Sequence, residues 1–417
     1  MKKKVLALSL AAAMAFSLAA CGGGGEGGDT VANKDKPVVW FNRQPSNSST
    51  GELDTEALNF NEDTYYVGFD ANQGAELQGQ MILDYIKAHV KEIDRNNDGI
   101  IGYVLAIGDK GHNDSIARTR GVRSALGTAV KDADGNINSE AVGTNVDGKA
   151  TQVQDGKLEI DGKTYIVREL ASQEMKNSAG ATWDGNTAGN AIDTWASSFG
   201  EQIDVIASNN DGMGMSMFLK WSQANKVPTF GYDANSDAVK AIADGYGGTI
   251  SQHADVQAYL TLRVIRNALD GVDMDTGIGT EDAAGNVLSE DVYTYDEANR
   301  SYYALNVAVT AENYEEFLDS TVIWKPVSNQ VSEENSPKKK VWLNIYNSAD
   351  TFLGATYMPL LKQYDDLLNL EVDYIQGDGQ SESNVSDRLT DPSAYDAFAI
   401  NMVKTDNAIT YTTKLAQ

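Results

Sequence analysis

The run Asp94-Arg95-Asn96-Asn97-Asp98-Gly99-Ile100 sets side-chain oxygens at loop positions 1, 3 and 5, with glycine at position 6. Position 7, Ile100, offers its main-chain carbonyl. This is the first half of an EF-hand calcium loop, in which the glycine permits the sharp turn. Leu105 stands at position 12, where a carboxylate usually closes the shell, and a strand rather than a second helix follows. A polar Asn-Asp-Gly turn is therefore the competing reading. A hard cation wants six or more oxygens, so calcium at this loop requires a carboxylate from elsewhere in the chain. The stretch Asp132-Ala133-Asp134-Gly135 is superficially similar and reads as a turn.

Other residues with chemical potential are ambiguous one at a time. Asp114 opens a helical stretch and suits an N-cap, and Asn210-Asp211 suits the same role before the next helix. His112 reads alone as a capping or surface histidine and Arg118 as a solvated charge. Trp183 alone reads as core. Met213, Met215 and Met217 read as helix packing. Asp114 and Asp233 are candidates for a carboxylate pair of the kind that hydrolyses glycosides.

The elements that must position these residues alternate regularly. Val38-Val39-Trp40-Phe41 reads as a buried strand and Tyr65-Tyr66-Val67-Gly68 as another. Further strands are expected over 103–107, 205–207, 229–231, 249–251, 341–345, 370–374 and 398–401. Between them, helical spacing of apolar residues predicts helices over 71–90, 115–126, 188–199, 213–223, 236–243, 256–269, 354–368 and 408–416. In the first of these, Leu77, Met81, Ile82, Tyr85 and Ile86 share a face. Such alternation predicts parallel sheets covered on both faces, with ligands beyond the carboxyl ends of the strands. Two regions break the pattern. Residues 132–161 read as turns with a hairpin, and the stretch around 327–340 reads as a linker ending in Lys338-Lys339-Lys340.

Bulk properties narrow the partners. The chain has 417 residues, 60 acidic and 33 basic, for a formal net charge of -27. Nucleic-acid binding needs clustered Lys and Arg, so this balance excludes it as an expectation. It also argues against docking through a basic face on anionic lipid. Lys2, Lys3 and Lys4 precede an apolar run from Val5 to Ala20, shorter than the ~20 residues of a spanning helix. The run ends Leu18-Ala19-Ala20-Cys21, which resembles a bacterial lipobox, and Cys21 is the sole cysteine. The expectation is a signal peptide over 1–20, a lipidated Cys21, and a Gly-rich tether over 21–30.

Several post-strand segments taken together resemble the galactose/glucose-binding family of type I periplasmic binding proteins. They are Val38-Val39-Trp40-Phe41-Asn42, Tyr65-Tyr66-Val67-Gly68, Gly111-His112-Asn113-Asp114 with Arg118, Thr182-Trp183-Asp184, Ala207-Ser208-Asn209-Asn210-Asp211, Phe230-Gly231-Tyr232-Asp233 and Gly248-Thr249-Ile250. The first βαβα unit of that family stands here at the end of the chain, as Val341-Trp342-Leu343-Asn344-Ile345-Tyr346 through Gln417. The resemblance therefore implies a circularly permuted order, with the former termini joined over 326–337. It implies an α/β fold of two Rossmann-like lobes joined by a three-strand hinge. One lobe is expected from 31–68 with 254–290 and 338–417, the other from 69–253 with 291–325.

The resemblance also implies a site. Phe352 and Trp183 would sandwich a pyranose, and Asn42, His112, Asp114, Arg118, Asn210, Asp233 and Asp350 would serve its hydroxyls. Gln252 stands where the family has Asn. Calcium would be held by Asp94, Asn96, Asp98, the Ile100 carbonyl and Asp204, with Gly102 at a position where the family supplies a side-chain oxygen. The implied function is that of an extracytoplasmic lipoprotein, not an enzyme. It would be a monomer anchored to the bacterial cell membrane through lipid alone, delivering D-glucose or D-galactose to an ABC transporter permease. A sugar sensor for a receptor or kinase, a ribose or xylose binder, and a glycoside hydrolase are the alternatives.

Overall fold

The computed structural model describes residues 33–46, 53–129, 143–144, 153–278, 292–318, 337–379 and 381–417. All of them fall in one compact unit, 32–417. The expected signal segment, Cys21 and the tether lie outside the described residues, as do most of the 132–161 insertion and the joining segment up to residue 336.

Short β-branched and aromatic runs form the strands, and the described ones assemble into two large sheets and a separate two-stranded pair. The first has the order Tyr293–Asp296, Ser301–Ala304, Thr64–Phe69, Val38–Phe41, Ala397–Ile400, Lys339–Ile345, Leu370–Gln376. Every pairing is parallel except the edge strand Tyr293–Asp296 against Ser301–Ala304. The central strand Val38–Phe41 is buried at all four residues, as a parallel sheet covered on both faces requires. Its alternate side chains enter opposite layers. Val39 and Phe41 pack with Val256, Leu260 and Val264 of the Ala254–Asp270 helix and with Leu361. Val38 and Trp40 pack with Trp342, Phe398 and Tyr411 of the Ala408–Leu415 helix.

The second sheet runs Gly143–Thr144, Lys163–Glu174, Ile100–Ile107, Val205–Ser208, Thr229–Phe230, with Gly156–Ile160 antiparallel to Lys163–Glu174. Thr249–Ser251 pairs antiparallel with Val307–Val309. Ile101, Tyr103 and Leu105 pack with Met81, Ile82 and Ile86 of the Ala71–Ile93 helix. Val104 and Ala106 pack with Ala188, Ile192 and Trp195 of the Gly185–Phe199 helix.

The chain passes between the lobes after Phe69, between Ser251 and Ala254, and between Ala304 and Val307. Asn306 ties two of these passages together: Nδ2 donates to the Asp70 carbonyl and to Gln73, and Oδ1 accepts from the Tyr232 hydroxyl. The sequence boundary assigned all of 291–325 to the second lobe. Ser301–Ala304 instead pairs in register with Tyr66–Phe69, so Tyr293–Asp296 and Ser301–Ala304 belong to the first sheet and the passage falls after Ala304.

The 12-residue strand Lys163–Glu174 had no counterpart in the sequence reading. It carries charged side chains on a buried element. Glu169 accepts from Arg123 Nε and Nη2 at 2.8 and 2.7 Å, and Tyr103 donates to it at 2.8 Å. At the far side of the first lobe, Asn33 Nδ2 donates to the Leu415 carbonyl at 3.1 Å, so the first and last described segments are neighbours.

Candidate functional site

Strand ends of both sheets converge on one cavity. The structure brings all ten residues of the expected sugar site to its wall: Asn42, His112, Asp114, Arg118, Trp183, Asn210, Asp233, Gln252, Asp350 and Phe352. Asn42, Asp350 and Phe352 come from the first lobe and the other seven from the second. Arg43, Tyr346 and Leu353 line it as well and were not anticipated. Arg43 follows Asn42, and Tyr346 directly follows the Lys339–Ile345 strand, so post-strand position was the signal available for both.

Three of these side chains are fixed by capping a helical turn with one atom. His112 caps the Asn113–Ala125 helix, with Nδ1 accepting from the Asp114 amide at 3.1 Å. Asn210 caps Asp211–Met217, with Oδ1 accepting from the Met213 amide at 3.0 Å. Asp350 caps Thr351–Tyr357, with Oδ1 accepting from the Leu353 amide at 2.9 Å. Each planar group then has its second polar atom available for something else. Asn42 and Asp233 sit at φ 60° and 107°, and Trp183 at 61°. The Trp183 ring lies against Gly108, where an added Cβ would come within 2.3 Å of it. It also stands edge-on to His112 at 5.7 Å.

Arg118 organises the second lobe's half. It lies 3.5 Å over the Tyr232 ring, and Nη1 donates to the Asn209 carbonyl at 2.8 Å. Asp233 and Asp114 stand 3.6 and 3.9 Å from its guanidinium nitrogens. Gln252 Nε2 donates to Asp233 Oδ1 at 2.9 Å, so its longer reach is spent on a neighbour. Asn209 lies beneath, with Oδ1 accepting from the Gly108 amide and from the Ser115 and Thr119 hydroxyls.

Dehydration dominates the electrostatics. Burial pushes the Asp114 carboxyl up, opposed by Arg118 and then Arg43. Burial holds Asp233 well above the usual carboxylate range, opposed by Arg118 and reinforced by Asp211 and Asp350. Asp350 is raised by burial against the Leu353 amide and Arg43. Burial, then Arg43 and Arg118, hold His112 well below the usual imidazole range, so it is neutral near pH 7. Three buried polar atoms on this wall have no partner among the described residues: His112 Nε2, Arg118 Nε and Trp183 Nε1. A ligand rich in hydroxyls, each both donor and acceptor, would complete them.

The loop expected to hold calcium is folded as a tight turn on its own amides. Asp94 accepts from the Asp98 and Gly99 amides at 3.1 and 3.2 Å, and Asp98 Oδ1 accepts from the Ile100 amide at 2.8 Å. Asn97 and Gly99 take φ 57° and 78°. Asp204 Oδ2 accepts from the Gly102 amide at 2.8 Å, while the buried Oδ1 has no partner among the described residues. Burial lifts this carboxyl to about 8, opposed by the Gly102 amide and Arg95 and reinforced by Asp94 and Asp98. An unpartnered buried carboxylate oxygen beside further acidic groups is what a hard cation relieves, and this one oxygen of Asp204 is the feature that suits calcium. Among the described residues no group of three or more His, Cys, Asp or Glu side chains is clustered for a metal, so Asn96 and the Ile100 carbonyl would have to contribute. At Gly102 an added Cβ would come within 2.1 Å of the Gln202 carbonyl oxygen, so the packing leaves no room for a side chain there.

A family model described as a periplasmic binding protein domain matches residues 29–273, and a second of the same description matches 338–408. The chain belongs to the periplasmic binding protein family.

A D-galactose/methyl-galactoside binding periplasmic protein of Haemophilus influenzae is 28% identical over 255 residues, 60% of this chain. The match spans 62% of that relative's length. A xylitol-binding protein of Mycolicibacterium smegmatis is 26% identical over 303 residues, 66% of this chain and 82% of the relative. Among solved structures, an ABC transporter periplasmic solute binding protein from Actinobacillus succinogenes with bound D-allose aligns at 16% identity and a TM-score of 0.41, covering 67% of this chain and 71% of that one.

Proposed function

We propose that this chain binds a monosaccharide outside the cytoplasmic membrane, D-glucose or D-galactose in the first place, and delivers it to an ABC transporter. The observation that carries the reading is the set of unpartnered buried atoms, His112 Nε2, Arg118 Nε and Trp183 Nε1, around a cavity with aromatic rings from both lobes. A pyranose has apolar faces for Trp183 and Phe352 and a rim of hydroxyls for the carboxylates and amides. It touches both lobes, so it binds the closed arrangement better and shifts the hinge equilibrium toward it. Holding, not cleaving, is the chemistry: Arg118 stands beside both Asp114 and Asp233, and neither carboxyl is left alone as a general acid.

Two further elements belong to the same reading. Calcium at Asp94, Asn96, Asp98, the Ile100 carbonyl and Asp204 would brace the second lobe. A lipid on Cys21 would hold the protein at the membrane. The circularly permuted order is supported by the contact between Asn33 and Leu415 and by the separate family match over 338–408. Titration calorimetry with glucose, galactose, xylose, ribose, allose and xylitol tests the function. A single tight hexose site is the expected result. Heat-silent titrations with every sugar, on folded protein, would refute the reading.

A further inference from the structure

Behind the second lobe's side of the cavity lies a buried carboxylate that is not among the lining residues. Asp211 follows Asn210 and is fully buried. Oδ2 accepts from the Asn235 amide and the Thr249 hydroxyl, each at 2.9 Å, and Oδ1 accepts from the Tyr246 hydroxyl at 3.0 Å. Its own amide donates to the Tyr232 carbonyl at 2.8 Å. Tyr246 is buried too, with its ring edge-on to Phe218 at 5.4 Å. At Gly231 an added Cβ would collide with Asp211 Oδ1 and with the Tyr246 hydroxyl, so the backbone there closes directly onto the pair.

These bonds converge on one turn. Asp233 and Ala234 take φ 107° and 50° in succession, outside the ordinary range of non-glycine residues. Such a backbone persists only where its surroundings over-determine it. The Tyr232 carbonyl and the Asn235 amide, on either side of the strained pair, both bind Asp211. The Ala234 amide donates to Thr249 Oγ1 at 3.1 Å, and that hydroxyl donates to Asp211. The Asp233 side chain is thereby held on the cavity wall beside Arg118 and Gln252. A carboxylate withdrawn from water is costly unless it is hydrogen-bonded, and here every bond it makes serves this turn or orients the acid itself.

We infer that Asp211 and Tyr246 are positioning residues for sugar recognition: the Tyr246 hydroxyl orients the Asp211 carboxylate, which holds the 232–235 turn in the form that presents Asp233 to the ligand. The inference rests on the sugar-binding reading above and deepens it, since neither residue touches the ligand and both act through Asp233.

The test is a pair of double-mutant cycles read by hexose titration, with melting temperatures of the ligand-free variants recorded beside them. Asp211→Ala should weaken hexose binding roughly 10-fold. Asp211→Asn keeps an acceptor oxygen for the Asn235 amide and the Thr249 hydroxyl and should recover most of that loss. Combined with Asp233→Asn, Asp211→Ala should cost at least about threefold less than the product of the two single losses, because both remove the same contact. Combined with Phe352→Ala, from the other lobe, the losses should multiply. Where Asp211→Ala does not fold, Tyr246→Phe removes one hydroxyl, keeps the ring against Phe218, and carries the same two cycles with a single loss of roughly threefold. Wild-type affinity in a folded Asp211→Ala or Tyr246→Phe protein overturns the inference. So does Asp211→Asn binding as weakly as Asp211→Ala, or an equal shortfall in both cycles, which would assign Asp211 to general support of the lobe. If the wild type binds no hexose, the functional reading fails first and takes this one with it.

Discussion

Replacing Trp183 by alanine isolates the stacking contribution to binding. The residue takes φ 61°, and alanine keeps the same backbone requirement, so the change acts through the ring. Covering one indole face hides on the order of 80 Å², under half of what a buried aromatic hides. At about 25 cal/mol per Å² this is about 2 kcal/mol. Nε1 is buried and unpartnered, and a hydrogen bond from it to a ligand hydroxyl adds about 1 kcal/mol. Trp183→Ala should therefore weaken hexose affinity roughly 30- to 150-fold. Titration calorimetry measures the loss, and the melting temperature of the ligand-free variant reports separately on any damage to the second lobe. A folded variant whose affinity falls less than about threefold, well under the stacking estimate, would refute the assigned pocket.

Calcium removal should lower the melting temperature by about 5–10 °C at saturating starting calcium, and Asp204→Ala should lose that response. A melting curve indifferent to chelator would remove the metal from the account. Asn113 Nδ2 donates to Ser46 Oγ at 2.5 Å, a bond between the lobes that involves no ligand. Asn113→Ala should open the hinge equilibrium and weaken sugar binding roughly 2- to 10-fold, chiefly through faster dissociation. Stopped-flow release rates equal to wild type would contradict this. Asp211 is lifted to about 7 by burial, against the pull of the Asn235 amide, Thr249 and Tyr246. Its folded pKa lies above the unfolded one near 4, so the folded state holds the extra proton between them. Stability should fall as pH rises from about 4 to about 7 and level off above. Asp211→Asn should flatten that slope in denaturant titrations, and an unaltered slope would assign it to other groups.

Much of the first lobe was legible because its strands are short, continuous apolar runs rich in β-branched and aromatic residues, such as Val38-Val39-Trp40-Phe41, which suit a sheet buried on both faces. The strand Lys163–Glu174 was not, because Arg168 and Glu169 interrupt its pattern. Glu169 is tolerable there only through Arg123, whose position is a tertiary fact. The border of the lobes was misplaced for a related reason. Nothing local in Ser301–Ala304 says that its partner is Thr64–Phe69. In the site, residues at strand ends and helix starts were ambiguous singly, and only their joint order, through its resemblance to a known family, named them. Arg43 did not, since a guanidinium reads as a solvated charge until Tyr346 and Val403 are brought beside it.

Three side chains of the cavity wall are set by helix ends, and this explains why capping residues suit such a site. A cap side chain must be short and planar or bifurcated, and it is held by a hydrogen bond to a main-chain amide whose position the helix dictates. His112, Asn210 and Asp350 satisfy helical turns with Nδ1 and Oδ1 atoms, and the geometry of each group then fixes the direction of its other polar atom. Little side-chain freedom remains to be lost on binding, which lowers the cost of association. Arg118 is held in the same spirit by the Asn209 carbonyl and the Tyr232 ring. What remains adjustable is the angle between the lobes, at passages that Asn306 ties to one another. A ligand therefore selects an angle more than it reshapes a pocket, and discrimination among sugars falls to whether each hydroxyl meets an atom whose place was decided by a helix end.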